Sequence, residues 1–195
     1  MANLITLART LLAFVVVAML HVRTTGVYLG AVALTIIVIS MDALDGYVAR
    51  KRNESTKFGA VVDILGDRVV EMTYWIIFVA LGWIPAWVAI AIAARGIVVD
   101  GVRSIAFERG FTAFGKSSMM TTRVGAALVS SRASRAVYGV GKALAFCLLI
   151  LLFTPGLLPW ISSGLRVVAY ACVYATLLLC LARGTPVLME ARRLV

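Results

Sequence analysis

Four aspartates carry the chemistry open to this sequence: Asp42 and Asp45, three residues apart, and Asp63 and Asp67, four apart. On a helix, both spacings put the paired carboxylates on one face, a turn apart, so two facing helices would converge all four. They make up four of the chain's nine acidic residues and adjoin the apolar runs Leu29 to Met41 and Val69 to Leu81. That places them at or inside the edge of a membrane span, where an isolated charge is strongly unfavourable and needs a compensating cation. Hard divalent cations take carboxylate oxygens, and a pair of ions bridged by shared carboxylates suits chemistry on phosphates. Two other readings compete. The aspartates could cap helices or pair with Arg50, Lys51, Arg52 and Arg68, or they could belong to a membrane cation transporter that moves the ion instead of using it. A transport path would string carboxylates across the membrane, whereas these cluster at one edge beside the basic loop Lys51 to Phe58.

The elements that must position these groups are membrane helices. The chain has 195 residues, 62% of them hydrophobic, and a mean hydropathy of +1.00, well beyond a soluble domain. Its net charge of +10 does not point to nucleic acid, because the basic residues are scattered between apolar runs without an aromatic-basic pattern. Anionic lipid surfaces and phosphate-bearing substrates account for it better. Cys147, Cys172 and Cys180 lie in apolar runs without C-x-x-C spacing, which argues against a disulfide framework or a zinc site.

Apolar stretches of spanning length run from about Leu4 to His21, Val27 to Tyr47, Ala60 to Leu81, Pro85 to Phe107, Tyr138 to Phe153 and Leu165 to Leu181. The fold expected is therefore all-α: a polytopic membrane protein with six transmembrane helices in one bundle, a single domain over residues 1–195. The first stretch lacks the basic start and small-residue cleavage site of a signal peptide and reads as a retained helix. With the first terminus cytoplasmic, one side collects Arg50, Lys51, Arg52, Lys57, Arg109, Lys116, Arg123, Arg132, Arg135, Arg183, Arg192 and Arg193, and the other only Arg23 and Arg166. The asymmetry sets both termini and the aspartate site on the cytoplasmic face of the cell membrane. Residues 108–137 form a long polar connector, with an interfacial helix expected over about Lys116 to Val129. The last helix is expected to stop at Arg183-Gly184-Thr185-Pro186.

Further polar groups frame the aspartates. Asn3, Thr6 and Arg9 recur every third residue on the otherwise apolar first segment. Asn3 could simply cap the helix and Thr6 bond to the backbone; in the functional reading the stripe faces the site and touches nucleotide or phosphate. Gly46 and Gly59 remove side chains where a nucleotide would approach a helix closely. Arg95, Asp100 and Arg103 are too many charges for a lipid-facing surface, so they point into the bundle or a wet cavity, unless Arg95 and Asp100 are only a structural pair.

Asp42, Asp45, Gly46, Ala49 and Arg50, then eight residues, then Gly59, Asp63 and Asp67 resemble the signature D-x-x-D-G-x-x-A-R…G-x-x-x-D-x-x-x-D of the CDP-alcohol phosphotransferase family, matched at every fixed position. The resemblance implies transfer of a phosphatidyl-type group from a CDP-linked lipid, typically CDP-diacylglycerol, to an alcohol, with release of CMP. It implies two Mg2+ or Mn2+ ions on Asp42, Asp45, Asp63 and Asp67, with Asp67 as base, and a homodimer. It also implies contacts to the CDP moiety from Gly46, Ala49, Arg50, Thr56 and Gly59. Asn3, Thr6 and Arg9 resemble the N-x-x-T-x-x-R start of phosphatidylglycerophosphate synthases in that family, and Arg95 to Arg103 resembles their R-E-x-x-x-S-G-L-R segment, departing at Gly96 and Asp100. For a phosphorylated acceptor, Arg95, Arg103, Lys116 and Arg123 are the expected phosphate ligands. The resemblance tilts the acceptor toward glycerol 3-phosphate, with inositol phosphate or another alcohol as the alternative.

Overall fold

The computed structural model describes residues 2–52, 57–108 and 125–191, and at 2, 3, 42–52, 57, 58, 60, 107, 126, 130, 132, 159 and 160 the backbone alone. Among the described residues the protein is all-helical: α1 (Ala2–Leu20), α2 (Thr25–Arg52), α3 (Lys57–Ala80), α4 (Ala86–Glu108), a π-helical turn (Ala126–Ser130), α5 (Arg132–Leu152) and α6 (Pro159–Ala191). The chain forms two compact units, Met1–Pro85 with Ala143–Tyr170, and Ala86–Lys142 with Ala171–Val195.

In the first unit, α1 packs against both α2 and α3. Aromatic residues build the core: Tyr74 stacks on Phe146 at 4.6 Å, Phe78 on Trp83 at 5.3 Å and Trp83 on Phe153 at 4.6 Å, which fastens α3 and its exit turn to α5. The Tyr74 hydroxyl donates to Thr35 Oγ1 at 3.0 Å, so the buried hydroxyl is satisfied and α2 is pinned to α3. The exit turn of α3 is closed by Trp83 N to Phe78 O at 2.8 Å and Gly82 N to Val79 O at 2.9 Å. Gly82 has φ 74°, the left-handed conformation this cap requires.

In the second unit, Val99 of α4, Val129 of the π turn and Val187 of α6 form a small buried core. That core explains a departure from the sequence reading, in which the last helix stops at Pro186. Helix α6 runs on to Ala191 with Pro186 inside it, because the turn beyond the proline buries Val187 and Glu190 and packing outweighs the lost backbone bond. Just before the proline, the Thr185 hydroxyl donates to the Leu181 carbonyl at 3.0 Å. The expected interfacial helix lies mostly outside the described residues; its described end, 125–130, is Gly125 followed by the π turn.

Two described helices are long and apolar enough to cross a membrane, Ala133–Leu152 and Ile161–Ala191, and Leu4–Leu20 and Thr25–Met41 are shorter apolar helices. The lower half of α2, together with α3 and α4, carries the charges of the candidate site, which lowers their apolar character below that of a plain span. Large aliphatic side chains, among them Leu4, Ile90, Ile97, Val167 and Leu178, are exposed on the helices, the surface of a protein solvated by lipid.

Candidate active site

The backbone delivers both aspartate pairs on helices. Asp42, Asp45, Gly46, Ala49 and Arg50 all lie on α2, which continues to Arg52, five residues beyond the expected end of the span. Gly59, Asp63 and Asp67 lie on α3, which opens at Lys57. The side chains of Asp42, Asp45, Ala49, Arg50 and Asn3 are outside the described set, and Thr56, Lys116 and Arg123 are outside the described residues altogether.

Asp63 and Asp67 converge on one cation, and that cation is Arg9 of α1. Its guanidinium Nη2 lies 2.7 Å from Asp67 Oδ1 and 3.1 Å from Asp63 Oδ1, while the Arg9 side chain is 2% exposed and the two carboxylates 47% and 49%. A single nitrogen thus reaches both carboxylates. The same Nη2 sits 3.5 Å from the Asp63 carbonyl oxygen. A buried arginine would be strongly unfavourable alone, so the pair is what permits α1 to carry it.

A close approach of α1 to α3 brings the guanidinium into reach. Thr6, one turn before Arg9, is buried, and its methyl faces Gly66: a Cβ built on Gly66 would stand 2.3 Å from Thr6 Cγ2 and 3.5 Å from Arg9 Nη2. Only a glycine fits there at this helix separation. Two residues of the polar stripe of α1 therefore face α3, Thr6 against Gly66 and Arg9 on the carboxylates. Further along α3, Arg68 Nη1 pairs with Glu71 Oε2 at 3.2 Å, which makes Glu71 the partner of Arg68.

The aspartates suit a metal. Asp63 and Asp67 are half-exposed, offer oxygens only and already converge on one positive group, the ligand type a hard divalent cation takes, although among the described residues no group of three metal-ligating side chains is assembled. Asp42 and Asp45 stand one turn apart on the backbone of α2, the spacing that would complete an all-oxygen set.

The second unit holds a group of arginines. Arg95 and Arg103, expected from sequence, lie on α4, and the structure adds Arg183 of α6 and Arg135 of α5, with Arg95, Arg103 and Arg135 all acting electrostatically on Arg183. Arg183 is buried. Its Nη1 donates to Ser134 Oγ at 2.9 Å and its guanidinium lies 5.5 Å from the Tyr138 ring centre, a cation–π distance. Ser134 is itself fixed: its hydroxyl donates to Leu128 O at 2.6 Å, and its amide donates to Ser131 Oγ at 3.0 Å, which caps α5. Arg95 lies along Gly184, where a Cβ would come within 3.0 Å of its Cγ and Nε. Read locally, Arg135 and Arg183 are membrane-edge charges.

The family model described as CDP-alcohol phosphatidyltransferase matches residues 1–182, both aspartate helices included. The chain belongs to this family. Among family members it is 38% identical over 78 residues to the CDP-diacylglycerol–glycerol-3-phosphate 3-phosphatidyltransferase of Bacillus subtilis, covering 40% of each chain. It is 31% identical over 113 residues to the Pseudomonas fluorescens protein of the same name, covering 56% of this chain and 57% of that one. A relative in Mycobacterium tuberculosis with the provisional name of cardiolipin synthase is 30% identical over 82 residues, covering 42% of this chain and 39% of that one. The chain thus spans about 39 to 57% of the length of these curated relatives.

Proposed function

We propose that this protein transfers the phosphatidyl group of CDP-diacylglycerol, or a related CDP-lipid, to the hydroxyl of glycerol 3-phosphate, releasing CMP. The observation that carries the reading is the convergence of Asp63 and Asp67 on one cationic group, within a chain that keeps every fixed position of the family's aspartate signature. Inositol phosphate is the alternative acceptor in the same chemistry. Six helices cross the cytoplasmic membrane as a bundle, with both termini and the site on the cytoplasmic side, and the enzyme works as a homodimer, as the family resemblance implies.

Asp42, Asp45, Asp63 and Asp67 would hold two Mg2+ or Mn2+ ions, which supply neutralisation of the diphosphate and of the charge developing on the leaving phosphate. Gly46 and Gly59 let the nucleotide approach the helices, and Asn3, Thr6, Ala49, Arg50 and Thr56 contact the CDP-lipid. The acceptor hydroxyl oxygen bonds to the lipid-linked phosphorus as the P–O bond to CMP breaks, the electron pair leaving with CMP. Asp67 orients the hydroxyl and takes its proton late, because a carboxylate beside Arg9 and a metal has low basicity.

The acceptor brings about two negative charges of its own. Arg95 and Arg103 with Lys116 and Arg123, joined by Arg135 and Arg183, are the residues proposed to receive its phosphate, since guanidinium groups bind phosphate oxygens in bidentate fashion. A neutral alcohol would have no use for such a concentration of arginines. The test is CMP release from CDP-diacylglycerol in detergent with glycerol 3-phosphate, inositol phosphate, serine and inositol supplied one at a time. Release only with a phosphorylated acceptor supports the assignment. No release with any acceptor, together with cation flux in liposomes, would favour a transporter.

A further inference from the structure

The Arg9 bridge has a role toward the metal that the motif does not describe. A guanidinium nitrogen lies within hydrogen-bond distance of both Asp63 and Asp67, so it engages carboxylate oxygens that a cation at this pair would need. Arg9 is buried, so it cannot swing into water at low cost, and the Thr6–Gly66 contact one turn away fixes the depth of α1 against α3. A dication entering the carboxylates must share them with this charge or displace it. We propose that Arg9 is a positioning residue that serves as the resident counter-cation of the metal site. It holds the α3 carboxylates converged in the ion-free enzyme and, by competing for them, weakens divalent-ion binding. The inference rests on the metal-site reading above. It makes ion-free stability and ion affinity trade against each other through one side chain.

Two charges per ion against one guanidinium decides the sign. Without Arg9 the carboxylates repel each other in the ion-free state and meet the dication uncompensated, so the ion-free form loses stability and the ion-bound form gains relative to it. The experiment titrates Mn2+ into the purified full-length enzyme, reading free Mn2+ by electron paramagnetic resonance, for wild type, Arg9→Met and Arg9→Lys. The Arg9→Met protein should bind Mn2+ at least ~10-fold more tightly than wild type, and Arg9→Lys, which keeps the charge, should stay near wild type. Thermal unfolding gives a second readout that tolerates a weakened fold: the rise in melting temperature from EDTA to saturating Mn2+ should be larger in Arg9→Met than in wild type. An equal or smaller rise, with equal or weaker Mn2+ binding, overturns the proposal and leaves Arg9 a purely structural ion pair, while the metal site stands. A wild type indifferent to Mn2+ in both readouts removes the metal site and this proposal with it.

Discussion

Replacing Gly66 by alanine should separate α1 from α3 and disconnect Arg9 from the aspartates. The added Cβ would meet Thr6 Cγ2 at 2.3 Å, whereas carbon atoms rest about 3.5 to 4.0 Å apart, so between ~1 and ~2 Å must be found. Thr6 is buried and its side chain is short, which passes the displacement to the helix. Moving α1 by that amount would stretch the 2.7 Å contact between Arg9 and Asp67 beyond hydrogen-bond range. Overpacking of this kind costs about 1 to 3 kcal/mol, and each kcal/mol lowers the melting temperature of a chain this size by roughly 2 to 4 °C. Misplacing the α3 carboxylates should also slow CMP release on the order of 10-fold or more. The assay is thermal unfolding in detergent paired with CMP release, run as a double-mutant cycle with Thr6→Ser, which keeps the hydroxyl and removes the clashing methyl. Thr6→Ser alone should change little, and in the Gly66→Ala background it should restore most of both losses. A Gly66→Ala protein with wild-type melting and turnover, or a loss that Thr6→Ser leaves untouched, would refute the reasoning.

Asp67→Asn should retain Mn2+ and CDP binding far better than it retains turnover; parallel loss of affinity and rate would remove the distinction between Asp67 as ligand and as base. Arg103→Ala should raise the apparent KM for the phosphorylated acceptor at least ~10-fold, one charge-assisted contact being worth roughly 1.5 to 3 kcal/mol, while the KM for CDP-lipid barely moves. Arg183→Lys keeps the charge but not the planar fork that bonds Ser134, so acceptor KM should again rise and CDP-lipid KM hold steady. EDTA should abolish CMP release and added Mg2+ restore it; full activity in chelator would exclude the metal-dependent mechanism.

The aspartate pairs were legible because helical periodicity alone puts residues three and four apart on one face, and α2 and α3 are helical at those positions. The identity of Arg9's partners was not, because it depends on how closely α1 approaches α3. That distance is set by one glycine outside the signature, Gly66, meeting one threonine methyl. Sequence gave no reason to single out Gly66 among sixteen glycines. The end of α6 was misjudged for a related reason: Arg183, Gly184 and Pro186 are local stop signals, but the burial of Val187 with Val99 and Val129 is a long-range fact that overrides them. Arg135 and Arg183 were counted as charges on a membrane face; what marks them as one group with Arg95 and Arg103 is that all three other arginines act electrostatically on Arg183, which is held by Ser134 and Tyr138.

The most direct test of the central claim follows the acceptor itself into lipid. Radiolabelled glycerol 3-phosphate is incubated with the purified protein, CDP-diacylglycerol and Mg2+, and the label is partitioned between water and chloroform. Phosphatidyl transfer to glycerol 3-phosphate predicts that label enters the chloroform phase in one-to-one proportion with CMP released, and only when CDP-diacylglycerol and the divalent ion are both present. Label that stays in water while CMP is released to a different acceptor, or that stays there with no CMP released, would contradict it.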